Sequence, residues 1–390
     1  MEKNIIVGID ASNLRGGGGI THLIELLREF SSEEHQILKV IVFGCAKTLE
    51  RLPERQGVQK KYERLLDKNI FYRFFWQNFL CKRRLKAFDC NVLFAPGGYV
   101  SKHTIHSVTM SQNMLPFETE DLCRPSERKG LKWRFIFYKY VFRIFLLRKM
   151  QLRSFKRATK TIFLTEYARR TISPYLSSLV DTEIIPHGVN TRFCGKIKAQ
   201  LKTEEYSISR PFRLVYVSTI DLYKHQWNVA EAVATLRQKG LPIEIAFIGS
   251  VAELVRERFE NTLSKVDPNS VFSRYLGEVS YDRIHDSYKE ADAIVFASTV
   301  ENMPNILLEA MSSGRPLACS NYGPMPEILK DAGLYFDPRN ITDIERCLSA
   351  LITAPSVFRE ELARKAQQYV SQYSWSQCAQ ATFALLRSVR

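Results

Sequence analysis

Short apolar runs alternate with segments of helical period along the chain, and the alternation starts afresh near the middle. The first run, Asn4 to Ile9, is rich in β-branched residues. It leads into Asp10-Ala-Ser-Asn-Leu-Arg, four glycines (Gly16 to Gly19) and a helical pattern from Ile20. A short apolar run bounded by turn residues predicts a buried strand, and apolar positions three and four apart predict a helix packed on it. Leu38 to Gly44 predicts a second strand, followed by a charged helical region; Val92 to Ala95, Val108 to Ser111 and Thr161 to Leu164 predict three more. In the second half the strands are Arg213 to Ser218, Glu244 to Gly249, Val271 to Leu276, Ala293 to Ala297 and Leu317 to Ser320. Helices fall between them near Asn228 to Lys239, from Ala252, over Tyr281 to Glu290 and over Ile306 to Ser313. This alternation predicts a parallel, doubly wound sheet in each half, with ligands at the carboxyl ends of the strands. The polar stretch 195–211, ending in Arg210-Pro211, is the expected linker. The expected fold is therefore α/β, two Rossmann-like domains facing across a cleft. Their expected bounds are 1–200 and 201–370, with 371–390 a helix packing back on the first.

A length of 390 residues suits two domains, and 45% apolar with 25% charged residues are the proportions of a globular chain. Eight cysteines (45, 81, 90, 123, 194, 319, 347, 378) form no C-x-x-C pair, which argues against a disulfide scaffold or a zinc site. MEKNIIVGID lacks the pattern of a signal peptide, and no run reaches 18 uncharged apolar residues. The expected location is cytoplasmic. Charge is uneven. Residues 1–200 carry 35 Lys/Arg against 18 Asp/Glu, whereas 201–390 carry 21 against 23. Residues 124–160 alone hold 13 basic side chains and one acid, Glu127. Such asymmetry points to an anionic partner: a membrane, a nucleic acid or a phosphorylated substrate.

Candidate chemistry concentrates in Glu301-Asn-Met-Pro-Asn-Ile-Leu-Leu-Glu309-Ala-Met-Ser-Ser-Gly314-Arg-Pro316, which follows the strand Ile294-Val295-Phe296. Loop amides and a helix N-terminus there suit anions and sugar hydroxyls, and each acid can accept two hydrogen bonds from a vicinal diol. Two solvated helix acids would look the same in isolation. Gly16 to Gly19 permit close backbone approach to a phosphate or sugar, but fit neither a P-loop nor G-x-G-x-x-G, so a dinucleotide oxidoreductase is disfavoured. No Asp-x-Asp pair is placed to hold a metal on a diphosphate.

Glu301-x7-Glu309, then Ala-Met-x-x-Gly-x-Pro and Gly323-Pro-x-Pro-Glu327, resembles the E-x7-E region of family 4 retaining glycosyltransferases. The glycine loop, Pro-His187-Gly188-Val-Asn190 and Tyr-Leu-Gly277-Glu extend the resemblance, though motifs are dense only in the second half. It implies the GT-B fold and a nucleotide-diphosphate sugar donor held mostly by the second domain, as in bacterial O-antigen or capsule enzymes. It further implies that Glu301 contacts the donor sugar with the amides of Asn302, Met303, Pro304 and Asn305 around it. Glu309 would hold the ribose, Leu276 and Gly277 lie against the base, and Lys224 meet the diphosphate. Gly17 and Gly18 would lie beside the donor phosphate. Two departures stand out. Ser218 occupies a position where the family usually has Arg. Gln112-Asn113 stands where many members have His-Asp or His-Asn, so neither residue there can exchange a proton near pH 7. His103 and His106 lie nearby and read as structural or solvated, and His187-Gly188 as structural. No metal or other cofactor is implied, and the departing diphosphate would itself help deprotonate the acceptor hydroxyl.

The segment ERKGLKWRFIFYKYVFRIFLLRK places Arg128, Lys132, Lys139 and Arg143 within about 60° of arc on a helix, amid Trp133, Phe135, Phe137, Tyr140, Phe142, Phe145 and Leu146. Basic and aromatic residues on one helix predict an anionic membrane surface as partner, on the inner face of the cell membrane. A core helix with snorkelling charges is the alternative. Nucleic acid is disfavoured because no binding motif accompanies the charge. The reading is thus a retaining hexosyl or N-acetylhexosaminyl transferase acting on a lipid-linked saccharide in surface polysaccharide assembly. A nucleotide-sugar epimerase and a non-catalytic membrane scaffold remain as rivals.

Overall fold

The computed structural model describes residues 5–97, 99–101, 105–120, 131–176 and 180–390, with side chains in the 131–157 helix described from 137 onward. The chain divides into two compact units. One comprises Met1–Thr119, Pro125–Gly188 and Tyr373–Arg390, the other Glu120–Arg124 and Val189–Gln372.

Among the described residues, the first unit is built on seven strands: β1 (Ile6–Asp10), β2 (Lys39–Gly44), β3 (Val58–Tyr62), β4 (Val92–Ala95), β5 (His106–Met110), β6 (Lys160–Phe163) and β7 (Thr182–Ile184). They run parallel in the order β3-β2-β1-β4-β5-β6-β7. The inner strands are near-continuous apolar runs because helices cover both faces of a parallel sheet. Val7, Ile9, Val40, Val92 and Val108 are accordingly fully buried. Helix Gly17–Arg28 starts within the glycine run and buries Ile20, Leu23, Leu26 and Leu27. The C-terminal helix, Trp375–Ser388, is capped by Ser374 and packs on it, with Phe383 5.1 Å from Phe30 and Trp375 5.8 Å from His22.

The second unit repeats the plan with β8 (Phe212–Val217), β9 (Ile243–Ile248), β10 (Ser273–Tyr275), β11 (Ala293–Phe296), β12 (Leu317–Ser320) and β13 (Leu334–Phe336). Its order is β10-β9-β8-β11-β12-β13, again parallel throughout. In each sheet the winding reverses beside the first strand, between β1 and β4 and between β8 and β11. A crevice at the carboxyl ends opens at such a reversal, and ligands of doubly wound sheets bind there.

Two expectations need correcting. Strands β3, β7 and β13 were not predicted. All three are edge strands and two are only three residues long, so little apolar pattern marks them. Nor is 195–211 a loose linker: the units divide between Gly188 and Val189, and the stretch packs within the second. Gly195 N donates to Ser312 O (3.0 Å) and Lys198 N to Gly314 O (3.1 Å). Buried Arg315 donates to Lys196 O (3.1 Å), Ser313 O (2.7 Å) and Lys289 O (2.7 Å). The polar character reflects backbone groups satisfied by neighbouring backbone and two buried arginines, Arg315 and Arg359, rather than solvation.

This packing accounts for Gly314. Its φ is +76°, and a Cβ there would lie 2.4 Å from Lys196 O. Both facts oppose any side chain, so Gly314→Ala should destabilise the second unit by about 2 kcal/mol or more. A urea-unfolding midpoint equal to wild type would contradict this account.

Candidate functional site

At the carboxyl edge of the second sheet, three of four successive strand ends carry residues that the sequence singled out, and Gly249 joins them. β8 is followed by Ser218, β9 by Gly249, β10 by Leu276 and Gly277, and β11 by the loop to Glu301. Ser218 N donates to Ile248 O (2.9 Å), and Gly249 N to Gly277 O (2.8 Å). A Cβ on Gly249, whose φ is +144°, would lie 2.1 Å from Ser218 O, so the three strand ends are drawn together over a residue that must be glycine. Ser218 is buried and its hydroxyl makes no hydrogen bond among the described residues. Leu276 is exposed, and a Cβ on Gly277 would meet open space.

Lys224 and Glu301 meet at the β8–β11 reversal. The Lys224 ammonium donates directly to the Glu301 carboxylate in an ion pair, and Lys224 is 7% exposed. The local chain fixes both partners. A turn closed by Lys224 N to Asp221 O (3.0 Å) presents the lysine, whose own carbonyl accepts from the Tyr216 hydroxyl (2.7 Å). The ammonium also lies 5.2 Å from the Tyr223 ring and 5.4 Å from the Phe296 ring, within cation–π range. From the other side, Thr299 N donates to Tyr223 O (2.8 Å), tying the loop after β11 to the loop after β8. Between Glu301 and helix Asn305–Ser312, residues Asn302, Met303 and Pro304 are buried, with Pro304 as N-cap. Gly323, after β12, closes the far side; a Cβ there would lie 3.9 Å from Glu301 N.

Glu309 lies on that helix in a different environment. It is 3% exposed and accepts a hydrogen bond from the Tyr281 hydroxyl at 2.9 Å. Burial pushes its carboxyl up to about 7, against the opposing effects of the Tyr281 bond and the Arg192 charge. Arg192 stands 5.4 Å from the Tyr281 ring and pairs with Asp282. No local pattern marks this Tyr281–Arg192 support, because Arg192 and Asp282 lie 90 positions apart.

The first unit gathers its predicted residues at the carboxyl edge of its own sheet. Gly17 (φ +66°) opens the helix, Gly18 is exposed in its first turn, and neither a side-chain cap nor an acid serves that end. Gln112 leans over it: a Cβ on Gly19 would lie 2.5 Å from Gln112 Oε1. Asn113 is exposed, and its Oδ1 accepts from Leu115 N (3.0 Å). His106 begins β5, at the amino edge, and His103 lies outside the described residues. His187 is buried, its ring 4.9 Å from His22 and 5.5 Å from Trp375. An unforeseen acid, Asp10, ends β1. Burial raises its carboxyl to about 6, although Ser12 and Gln77 hydrogen-bond it. An aspartate closing an apolar run was the available signal.

Of the four basic residues predicted to share a face, Lys139 and Arg143 are exposed on helix Leu131–Arg157, amid exposed Tyr138, Phe142, Phe145 and Leu146. Arg128 and the side chain of Lys132 lie outside the described residues. Among those residues no helix is long and apolar enough to cross a membrane.

Residues 199–370 match the family model for glycosyl transferases group 1, almost the whole of the second unit. The second unit is a group 1 glycosyl transferase domain. Among characterised proteins, O-antigen chain mannosyltransferase B of Escherichia coli is 34% identical over 109 residues. That alignment spans 28% of this chain and 28% of the relative, under a third of its length. Sucrose-phosphate synthase from Thermosynechococcus elongatus superposes with a TM-score of 0.75 at 13% identity, covering 99% of both chains. Anabaena HepE in complex with UDP and glucose gives 0.67 at 15% identity, covering 99% of this chain and 100% of that one. These likenesses establish the GT-B fold for the chain.

Within the group 1 domain, the state of Glu309 can be tested by pH. Its folded pKa, about 7, exceeds the ordinary 4.5, so the folded state binds the proton more tightly than the unfolded chain. The stability this adds is fully present below pH 4.5 and is lost as pH rises through about 7. Relative to Glu309→Gln, wild-type stability should therefore fall across that window by on the order of 3 kcal/mol. Parallel pH–stability curves for the two proteins would refute the assignment.

Proposed function

We propose that this protein transfers a hexosyl or N-acetylhexosaminyl unit from a nucleotide-diphosphate sugar to a saccharide acceptor, with retention of configuration. The observation carrying this reading is the Lys224–Glu301 pair at the winding reversal of a group 1 domain. An ammonium has three N–H donors. One is engaged by Glu301, and the other two are available to diphosphate oxygens. The donor's leaving group gains negative charge as the glycosidic bond breaks, and a preoriented cation at that point lowers the barrier. Glu301 then has two duties: it orients Lys224, and it accepts from a hydroxyl of the donor sugar. Glu309 accepts from the ribose hydroxyls, and Leu276 and Gly277 flank the base.

The reaction requires no protein nucleophile. The anomeric C–O bond to the diphosphate breaks, and the bond to the acceptor oxygen forms on the same face. The acceptor's proton passes to a departing diphosphate oxygen. The protein contributes position and charge stabilisation. Gly17, Gly18, Gln112 and Asn113 line the first unit's carboxyl edge and are assigned to hydrogen bonds with phosphate, donor sugar or acceptor. The exposed aromatic and basic helix Leu131–Arg157 supports a peripheral position on the inner face of the membrane and a lipid-diphosphate-linked acceptor, as in surface polysaccharide assembly. The mannosyltransferase relative supports the same setting.

Glu301→Ala should lower turnover about 100-fold or more, since one well-placed contact at the reacting sugar is worth about 3 kcal/mol of barrier. Near-wild-type turnover by a folded variant would remove Glu301 from the site. Lys224→Ala should weaken nucleoside diphosphate binding more than nucleoside binding in calorimetry; equal losses would deny it the diphosphate. Nucleoside diphosphate release that needs an acceptor separates transfer from epimerisation. Activity should survive EDTA, and loss restored by Mg²⁺ or Mn²⁺ would overturn metal independence.

A further inference from the structure

A second aromatic surface in the first unit lies outside the basic helix. Helix Ile70–Phe75 runs through a π turn, Trp76–Leu80, into helix Cys81–Ala87. One side is anchored: Trp76, Cys81 and Leu85 are buried in a cluster with Phe43 and Leu93. On the other side Phe71 is 78% exposed and Phe79 59%, with Ile70, Phe74 and Phe75 also exposed. Four of these are phenylalanines: Phe74 and Phe75 follow Phe71 by three and four residues and Phe79 follows Phe75 by four, and all four form an exposed stripe opposite the buried cluster.

This stripe adjoins the helix Leu131–Arg157. The Phe74 ring lies 6.4 Å from Tyr99, whose hydroxyl donates to Asn78 Oδ1 at 2.9 Å. The next residue, Val100, donates its N–H to Ser154 Oγ on that helix at 2.6 Å. Both segments are basic and free of acids. Residues 68–88 contain six Lys/Arg and no Asp/Glu, and 131–157 contain nine and none. Arg73 shows the consequence. Burial lowers its guanidinium pKa, and the charges of Arg15 and Arg143 lower it further. No carboxylate pairs with Arg73 or Arg143 among the described residues.

We propose that the stripe Phe71, Phe74, Phe75 and Phe79, continued by Phe142 and Phe145, inserts among the headgroups of an anionic phospholipid surface. Lys139 and Arg143, exposed on the adjoining helix, meet the phosphates. The proposal rests on the membrane-surface reading above and specifies which residues enter the bilayer. A lipid surface offers, in one plane, the apolar layer that the rings need and the anions that Lys139 and Arg143 need. A second copy of this chain would bring its own unpaired cations against these, and so fits the charge poorly.

The test is co-sedimentation with phosphatidylglycerol and with phosphatidylcholine vesicles across a salt series. Salt screens the charge contribution but not the apolar one. Wild type should bind phosphatidylglycerol vesicles and keep part of that binding at high salt. Lys139→Gln/Arg143→Gln should lose the salt-sensitive part only. Phe71→Ser/Phe75→Ser/Phe79→Ser should bind about tenfold more weakly or worse and lose the salt-resistant part, while the corresponding Leu variant keeps it. Should the triple Ser variant fail to fold, Phe71→Ser alone, at the most exposed position, should still weaken binding measurably. A folded Ser variant that binds as wild type overturns the proposal. So does a wild type that binds neither vesicle, including one that self-associates through the stripe. Binding that the Ser variant loses supports the proposal whether or not nucleoside diphosphate binds, so failure of the transfer reading is seen separately.

Discussion

A parallel sheet releases every strand at the same edge, and the chain must cross a face of the sheet to begin the next. In the second unit this constraint brings Ser218, Gly249, Gly277 and the Glu301 loop to one border, although the first and the last are 83 positions apart in sequence. The reversal of winding between β8 and β11 parts the covering helices at that border. Lys224 and Glu301 come from the two loops flanking the parting and are pinned by the Thr299–Tyr223 hydrogen bond. Their pairing follows from topology before any ligand is considered.

Burial then gives two glutamates on one short segment different chemistry. Glu301 faces a cation and is held as half of an ion pair. Glu309, eight residues on, faces two tyrosines and a more distant arginine, and its carboxyl is pushed up to about 7. Neither environment is encoded in the spacing of the two acids. Each depends on what the fold brings from elsewhere: Lys224 from 77 positions upstream, and Tyr281 from 28.

The same distinction decides what was legible in the sequence. Inner strands such as Val92–Ala95 and Leu317–Ser320 were read with their observed bounds, because burial on both faces leaves an unbroken apolar run. Edge strands β3, β7 and β13 need only one partner and carried no such run. The motif acids and Lys224 were identifiable by residue type and position, but their mutual ion pair, the Tyr281 contact and the raised carboxyl of Asp10 arise from long-range packing. The residues around Arg315 and Arg359 imitated a linker because polar side chains look alike whether they bond water or buried carbonyls. The stripe Phe71–Phe79 sat within what read as a charged helical region, since its exposure depends on the opposite face being anchored by Trp76.

The C-terminal helix has a consequence for the order in which the protein is made. Residues 373–390 belong to the first unit, where Phe383 and Trp375 cover the helix Gly17–Arg28. A Cβ on Gly188 would lie 2.1 Å from Trp375 N, so the returning chain closes tightly on the unit's own end. During synthesis the second unit is therefore complete in sequence before the first. Leu23, Leu26 and their neighbours stay without that cover until helix Trp375–Ser388 leaves the ribosome. Of the two units, the one that begins first is the later to be able to finish folding.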